Sequence, residues 1–426
     1  MNAAPTAGPA SRLLPRSTGL LLQFLHGDPA LPDPADLAGL RAADWDALTD
    51  EAIDCRIAFQ VCERLKADPR RLASAPGACI GRLEDVVRGT LLRNLRQQGH
   101  LREMLTALQA ADIPVLLVKG LWLAETVYRD HRARATGDID LLFRPHDMTR
   151  LTQLARELGF DVPPGARSVC ELAPSANEFP LRHPGKKSFF DVHWSLTRPP
   201  LEAAVDEEKF WQRSETATLG GRLCRGLSLE DQLLYVCFHA VEHHRFLYVG
   251  PRALVDVALL VSRPPRPLDW DAIATRAREL RWQRGLWLML DLAREYLGVM
   301  PPPAILDALR PPAPPDAQTR RAFIAALFLD QLHAVSLPAN VVRALDERSG
   351  RRRVALLLRR LFPTRESVAT YFNRPADAPD IYWLYLKRML MLGSAHLPKI
   401  GKLLYGDAAS QHELERVRLI NRWFDG

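Results

Sequence analysis

Two aspartates in the first half of the chain, Asp138 and Asp140, stand two residues apart at the start of an apolar run. This run predicts a β-strand, and side chains on a strand alternate between its two faces. Both carboxylates should therefore lie on one face, roughly 7 Å apart. Such a pair is unfavourable unless solvent or a shared cation offsets the repulsion, and Mg²⁺ takes oxygen ligands of this kind. The spacing predicts either a metal site or a solvated strand end.

A basic turn precedes the two aspartates in the chain. Residues 113–118 form an apolar, branched run that predicts a buried strand, and residues 121–128 show the spacing of a helix. Lys119 and Gly120 lie between them and so form a turn at the start of a helix. Free backbone N–H groups at a helix start favour an anion such as phosphate, and Lys119 adds a positive charge. We therefore predict a phosphate-binding turn.

A third carboxylate comes from a later strand-like run, residues 186–194. Asp191 and His193 share one face of this strand because they are two residues apart. A phosphate-binding turn, paired acids on the next strand and a lone acid on a later strand are the parts needed for metal-assisted nucleotidyl transfer. We predict that Asp138, Asp140 and Asp191 are both the metal ligands and the catalytic residues.

Three segments together resemble the uncharacterised nucleotidyltransferase family of the polymerase-beta-like superfamily: LLVKGLWLAETVY at 116–128, RARATGDIDLLFRPHD at 132–147 and FFDVHWSL at 189–196. The resemblance implies that Gly120 holds the triphosphate of an NTP. It also implies that Asp138 and Asp140 bind two Mg²⁺ ions and that Asp191 completes the site. The implied reaction moves a nucleoside monophosphate from ATP or another NTP to an acceptor, and it releases pyrophosphate.

The nucleotide side of the predicted site is basic. Lys119 precedes Gly120 and a leucine follows it, so the turn departs from the Gly-Gly or Gly-Ser form of the superfamily and lacks a hydroxyl that would contact phosphate. The Lys-Gly form is associated with this particular family. Arg132 and Arg134 stand shortly before the acids, where guanidinium groups can neutralise triphosphate oxygens, although a solvated loop is an equally good interpretation. The predicted nucleotide-binding residues are Lys119, Gly120, Arg132 and Arg134.

The string His239-Ala240-Val241-Glu242-His243 forms a second motif, which matches an H-x-x-E-H zinc-protease signature. Histidines four residues apart share one face of an α-helix, so both would reach a Zn²⁺ ion with Glu242 as the base. The downstream acids that offer a third ligand, Asp256 and Glu279, lack a recognisable second motif. We therefore expect no zinc at this helix. The residues that we place instead on the acceptor side are His193, His239, Glu242, His243 and His244.

Composition is that of an ordinary globular protein. Of the residues, 47% are hydrophobic and 25% are charged. The chain of 426 residues is long enough for about two or three domains. A net charge of +7 is consistent with an anionic substrate but does not require nucleic acid, so we favour a small molecule, peptide or protein as the acceptor. The six cysteines include no C-x-x-C pair, and no apolar run reaches about 18 residues. These features predict a cytoplasmic protein without a transmembrane segment.

The order of patterns along the chain predicts an α+β fold, in which a small mixed β-sheet core is flanked by mainly helical N- and C-terminal regions. Helical spacing at 45–65 and 82–110 precedes the core, a hairpin at 216–224 ends it, and a helix capped by Ser228 follows. The predicted division is a disordered lead at 1–17, a helical region at 18–106, the catalytic core at 107–225, a helical substrate-side domain at 226–300 and a basic helical region at 301–426.

Three functions fit the sequence. The leading one is metal-dependent nucleotidyl transfer, with the acceptor bound between the sheet and the helices after Ser228. The second is a catalytically weak module that binds an NTP or a partner, against which the three intact acids argue. The third is a zinc hydrolase that uses the H-x-x-E-H helix.

Overall fold

The computed structural model describes residues 14–162, 177–186, 189–197, 205–247, 249–332, 377–404 and 408–425, with a few positions between 358 and 374. Several sequence predictions fall partly outside these ranges. The structure does not describe residues 1–13 of the predicted disordered lead, residues 163–176 and 198–204 of the predicted catalytic core, residues 187 and 188 of the strand predicted over 186–194, or most of residues 333–376 of the basic C-terminal region.

One mixed β-sheet lies at the centre of the fold. Its strands are β1 (Leu116–Val118), β2 (Ile139–Leu142), β3 (Glu178–Arg182), β4 (Phe189–His193), β5 (Glu215–Leu219) and β6 (Arg222–Gly226). Neighbouring strands follow the order β3-β4-β2-β1-β6-β5. β2 pairs antiparallel with β1 and parallel with β4, whereas β1 pairs parallel with β6. A mixed sheet between helical regions confirms the predicted α+β fold class, and β5 and β6 form the predicted hairpin.

The two faces of the sheet have different surroundings because alternate residues point to opposite sides. Ile139, Leu141 and Val192 lie on one face, in an apolar cluster that also contains side chains of the helices α6 (Gly77–Ala110) and α8 (Met148–Glu157). Asp140 lies on the other face, paired across the sheet with Val118 of β1 and Asp191 of β4. The helices on the apolar side therefore leave the acidic face turned toward the C-terminal helices.

The described residues before β1 form six helices: α1 (Arg16–Leu25), α2 (Pro34–Ala38), α3 (Ala42–Asp54), α4 (Ala58–Lys66), α5 (Pro69–Ser74) and α6. The helical spacing predicted over 45–65 corresponds to two helices, α3 and α4, with a break between them. Arg56 takes a left-handed conformation with φ 58°, which an α-helix does not accommodate, so the chain turns between α3 and α4. The turn brings the Arg56 side chain to the site described below.

Shorter helices connect the strands. They are α7 (Gly120–Leu123), which continues into a π-helical turn at Ala124–Tyr128, then α8, which follows a 3₁₀ turn at Pro145–Asp147, and α9 (Glu207–Arg213). The run predicted as a helix over 121–128 is thus confirmed as helical, although its second half has the wider π geometry.

Further helices follow the sheet in the chain. They are α10 (Leu229–Phe238), which continues as a π-helical turn at His239–His243, α11 (Arg252–Ser262), α12 (Trp270–Glu279), α13 (Gln283–Leu297), α14 (Pro303–Leu309), α15 (Ala317–Leu332), α16 (Ile381–Leu404) and α17 (Ala408–Asp425). Ser228 caps α10 as predicted, since its hydroxyl accepts a hydrogen bond from the Asp231 N–H at 3.2 Å. No helix in the ranges given above combines the length and the apolar character needed to cross a membrane.

Candidate active site

Three carboxylates converge on the acidic face of the sheet. Asp138 lies directly before β2, Asp140 lies within it, and Asp191 of β4 is the register partner of Asp140. One carboxylate oxygen of each residue lies within 4.8 Å of the other two. Asp140 is buried, whereas Asp138 and Asp191 are partly exposed. The structure therefore brings together all three acids that the sequence predicted to be catalytic.

The pKa values of Asp191 and Asp140 are shifted in opposite directions. Burial, followed by repulsion from Asp138 and Asp140, raises the pKa of Asp191 to about 7. Burial also opposes ionisation of Asp140, but the charge of Lys119 and a contact with His193 outweigh it and hold the pKa of Asp140 below its usual range. The cluster thus lacks the positive charge needed to keep all three carboxylates ionised at neutral pH. Hard oxygen donors with this charge deficit fit a divalent cation such as Mg²⁺.

The Lys119-Gly120 turn lies directly beside the acids. The Nζ atom of Lys119 is 3.2 Å from Oδ1 of Asp140 and 5.3 Å from the ring centre of Tyr235. Both turn residues have positive φ, 49° for Lys119 and 28° for Gly120. A side chain at Gly120 would also place its Cβ 3.4 Å from the Asp138 carbonyl oxygen. Glycine is therefore favoured here by the backbone conformation, whereas a Cβ at this distance would make an ordinary van der Waals contact.

Two helices of the C-terminal region hold this turn in place. The backbone N–H of Lys119 donates to Oε1 of Gln232 on α10 at 3.2 Å. Arg134 donates to the Gly120 carbonyl oxygen at 3.1 Å and forms two hydrogen bonds of 2.8 Å to the Asp256 carboxylate on α11. Because its charge is balanced by a buried aspartate, Arg134 acts as a support of the turn.

A cavity of about 400 Å³ contains the acids and the turn. Its lining includes two arginines that the sequence analysis missed, Arg56 and Arg252. Burial, followed by repulsion from Arg134, lowers the pKa of Arg252 to about 10. Neither arginine forms an ion pair with a carboxylate of the described residues, although Arg252 donates a hydrogen bond to the Ala135 carbonyl oxygen and feels the charge of Asp256. One sequence feature could have pointed to Arg252. It is a basic residue in the first turn of an apolar helix, a position where acidic residues are favoured, so its presence there calls for another explanation.

Arg132, the fourth predicted nucleotide-binding residue, does not line this cavity. Its guanidinium is 2.7 Å from the Asp130 carboxylate and lies 5.5 Å from the ring centre of Phe59. It lines a second cavity, which shares Arg56, Gly137 and Phe189 with the first. A direct contact between Arg132 and a nucleotide in the first cavity stays a prediction.

The predicted acceptor-side residues fall into different places. His193 lies beside the acids, with Nε2 3.3 Å from Asp140 Oδ1 and Nδ1 3.1 Å from Glu178. His239, His243 and His244 line the same cavity from the π-helical turn after α10.

The supposed base of the zinc motif, Glu242, lies outside the cavity lining. Burial raises its pKa, and the opposing charges come from Arg284 and Arg245. The two acids considered as third zinc ligands are also elsewhere: Asp256 pairs with Arg134 at 2.8 Å, and Glu279 with Lys209 at 3.7 Å. The geometry therefore does not assemble the zinc hydrolase site that the sequence motif describes.

Comparison with protein families gives one match, to a family model described as an uncharacterised nucleotidyltransferase, over residues 41–298. The chain belongs to this family. Comparisons with curated proteins and with solved structures gave no match. The nucleotidyltransferase family match confirms the resemblance drawn from the three motifs.

The matched range shows how much of the fold the nucleotidyltransferase family model covers. It runs from α3 through the sheet to the end of α13, and it includes both the turn at Lys119 and the histidines after α10. The C-terminal helices α14 to α17 lie beyond it. The complete wall of the cavity, including Arg56 and Arg252, thus falls within the nucleotidyltransferase match.

Proposed function

We propose that this protein is a metal-dependent nucleotidyltransferase that moves a nucleoside monophosphate from an NTP to an acceptor and releases pyrophosphate. The observation that carries the proposal is the convergence of Asp138, Asp140 and Asp191 beside the Lys119-Gly120 turn. In this reaction an acceptor oxygen forms a bond to the α-phosphorus, and the bond from that phosphorus to the bridging oxygen of the β-phosphate breaks. The bonding electron pair leaves with pyrophosphate.

The three aspartates divide the work at the reacting phosphate. Two Mg²⁺ ions held by these carboxylates would neutralise the developing charge on the phosphate oxygens and on the leaving pyrophosphate. Asp138 and Asp140 hold the cations. Asp191 completes the same cluster, where it would share a cation and would lie beside the attacking hydroxyl as its proton acceptor.

The triphosphate side of the cavity is formed by cationic groups. We assign Lys119, Gly120 and Arg252 to contacts with phosphate oxygens, with Arg56 at the rim that both cavities share. Arg134 supports the turn through Gly120 rather than by its own charge. This assignment keeps Lys119 and Gly120 of the four residues predicted from the sequence, gives Arg134 a supporting role, and adds two arginines, Arg56 and Arg252.

The acceptor side is the part of the cavity that faces the helices after β6. A space of about 400 Å³ suits a small molecule or the end of a peptide or protein better than a nucleic-acid duplex.

We place the reaction in a reducing cytoplasm. Cys55, Cys62, Cys79, Cys224 and Cys237 are free thiols, and the sixth cysteine, Cys170, lies outside the described residues.

Labelled nucleotides test the proposed reaction. The full-length protein is incubated with Mg²⁺, a host-cell extract and each of the four NTPs labelled at the α-phosphate, and the label is followed to its acceptor. We expect transfer to a defined product that is absent with the Asp191→Asn variant. Binding of an NTP without transfer of label from any of the four would instead identify a nucleotide-binding module.

Metal binding should depend on pH, because a cation must displace the proton of Asp191. Mg²⁺ affinity should fall roughly tenfold for each pH unit below about 7 and level off above it. Without metal, the pKa of Asp191 also affects folding stability, because it is about 7 in the folded protein and 3.8 in the unfolded chain. The folded protein should therefore become less stable as the pH rises from 3.8 to about 7. Mg²⁺ titrations by calorimetry between about pH 5.5 and 8.5 measure the first effect. Asp191→Asn should remove the pH dependence, and wild-type affinity that is constant over this range would contradict the assignment.

Replacing Lys119 with methionine should raise the KM for the NTP by about 10- to 100-fold, since a hydrogen bond to a charged group contributes about 1.5–3 kcal/mol. Methionine keeps the apolar stem of the side chain, so packing against Tyr235 is largely preserved. Steady-state kinetics at saturating acceptor measure the change. Lys66→Met, which removes a lysine paired with Glu84 on the surface, is the matched control and should leave the KM unchanged. A similar KM in the two variants would remove Lys119 from the nucleotide site.

A further inference from the structure

Three histidines that the proposed reaction does not use form a cluster on the cavity wall. The trihistidine cluster consists of His239, His243 and His244, and one ring nitrogen of each lies within 4.8 Å of the others. Ring centroids are 5.3 Å apart for His239 and His243, 4.4 Å for His239 and His244, and 4.8 Å for His243 and His244. All three side chains line the cavity that contains the aspartates.

The π-helical turn explains why three rather than two histidines meet. In an α-helix, His244 would lie about 140° around the axis from His239, because five residues advance the helix by more than one turn. Here the His244 N–H donates to the His239 carbonyl oxygen at 3.1 Å, which is the i to i+5 hydrogen bond of a π-helix. Because of this wider turn, His243 and His244 lie on either side of His239 around the helix axis. Such turns are common at functional sites.

The donor chemistry of the trihistidine cluster differs from that of the aspartates. Its three candidate ligands are imidazole nitrogens, which suit zinc and neighbouring transition metals, whereas Mg²⁺ prefers carboxylate oxygens. The positive charge of Lys119 acts on His239, but Asp140 balances it, since the Lys119 Nζ atom is 3.2 Å from the Asp140 Oδ1 atom. This lysine therefore does not prevent a cation from binding to the cluster. Three protein ligands with a fourth position left to the cavity are typical of zinc sites that bind a further molecule.

We propose that His239, His243 and His244 bind one divalent transition-metal ion of the zinc class, at a site separate from the three aspartates. The ion's fourth coordination position faces the cavity. This reverses the expectation from the sequence, which considered His239 and His243 on a regular α-helix, with Glu242 as the base and a downstream acid as the third ligand. Glu242 takes no part in the site because it lies outside the cavity lining.

Metal titration of the full-length protein tests the proposal without any measurement of nucleotidyl transfer. An Asp138→Asn/Asp191→Asn variant removes two carboxylates of the other cluster, and it is stripped with a chelator and titrated with Zn²⁺ by calorimetry and with Co²⁺ by visible absorption. We expect one equivalent of each ion and the intense absorption of four-coordinate Co²⁺. Circular dichroism confirms that each variant is folded. Absence of binding by the folded variant would overturn the proposal, whatever the outcome of the nucleotide experiment.

Single substitutions in the same background identify the ligands. His243→Ala and His244→Ala should each weaken Zn²⁺ binding by more than about 100-fold, which exceeds the usual effect of losing a group that only supports a ligand. Glu242→Gln is the matched control, since it lies in the same turn, and it should leave the affinity within about threefold of the parent. Full affinity in the His244→Ala variant, or loss of binding in the Glu242→Gln variant, would show that the cluster is not the metal site.

Discussion

Nucleotidyl transfer should fall by at least about a thousandfold when Asp138 is replaced by asparagine. The amide keeps the size of the side chain but removes a negative charge from the cluster that is proposed to hold Mg²⁺, and several kcal/mol of transition-state stabilisation depend on that charge. Folding stability without metal should not decrease, since the substitution relieves repulsion between Asp138 and Asp191. Single-turnover kinetics with a labelled NTP and thermal unfolding in a chelator measure the two effects.

The matched control for this substitution is Asp130→Asn. Asp130 is a carboxylate eight residues upstream that pairs with Arg132 and does not line the cavity. It should retain transfer within about twofold of the wild type. Near-normal turnover in the Asp138→Asn variant would remove the metal-dependent mechanism, and a large loss of stability in that variant would show that Asp138 has a structural role.

Substitution of Arg134 by methionine should lower the free energy of unfolding by roughly 3–5 kcal/mol, because it leaves Asp256 buried without its guanidinium partner. The Tyr128 hydroxyl, which donates to Asp256 at 2.6 Å, offsets only part of this cost. The Gly120 carbonyl oxygen also loses a hydrogen bond, so the variant that remains folded should bind the NTP less tightly. Denaturation with urea measures the change in stability, and calorimetry measures NTP binding.

Two further variants separate the buried charge from other effects of the Arg134 substitution. Arg132→Met removes an arginine–aspartate pair of the same type two residues away, but that pair is largely exposed and should contribute less than about 1 kcal/mol. An Arg134→Met/Asp256→Leu variant removes both buried charges and should recover at least half of the lost stability. Equal losses in the Arg132 and Arg134 variants would mean that burial does not determine the effect.

The parts of the candidate site that the sequence predicted are those defined by local patterns. Asp138, Asp140 and Asp191 were found because strand alternation and short motifs determine which face each side chain occupies. The same alternation predicted that His193 would lie beside Asp191, and the structure pairs it with Asp140.

Other parts depend on contacts between segments far apart in the chain. Arg56 comes from a helix break more than 60 residues before Lys119, and Arg252 from a helix more than 130 residues after it, so no local spacing connects them with the acids. Arg134 was predicted to contact phosphate, but its buried partner Asp256 could be known only from the packing of α11. His244 was not counted among the candidate zinc ligands because helical periodicity assumes α geometry, and the π-helical turn changes which residues share a face.

Motion of the sheet relative to the C-terminal helices is restricted, because the Lys119-Gly120 turn is attached to both α10 and α11. A hinge movement that separated the sheet from these helices would break the hydrogen bond to Gln232 together with the buried Arg134–Asp256 pair. Both contacts would have to break together, because the two helices hold the same turn. The cavity wall that we propose binds phosphate is therefore held together before a substrate enters. Any closure around the nucleotide is left to side chains and to segments outside this framework.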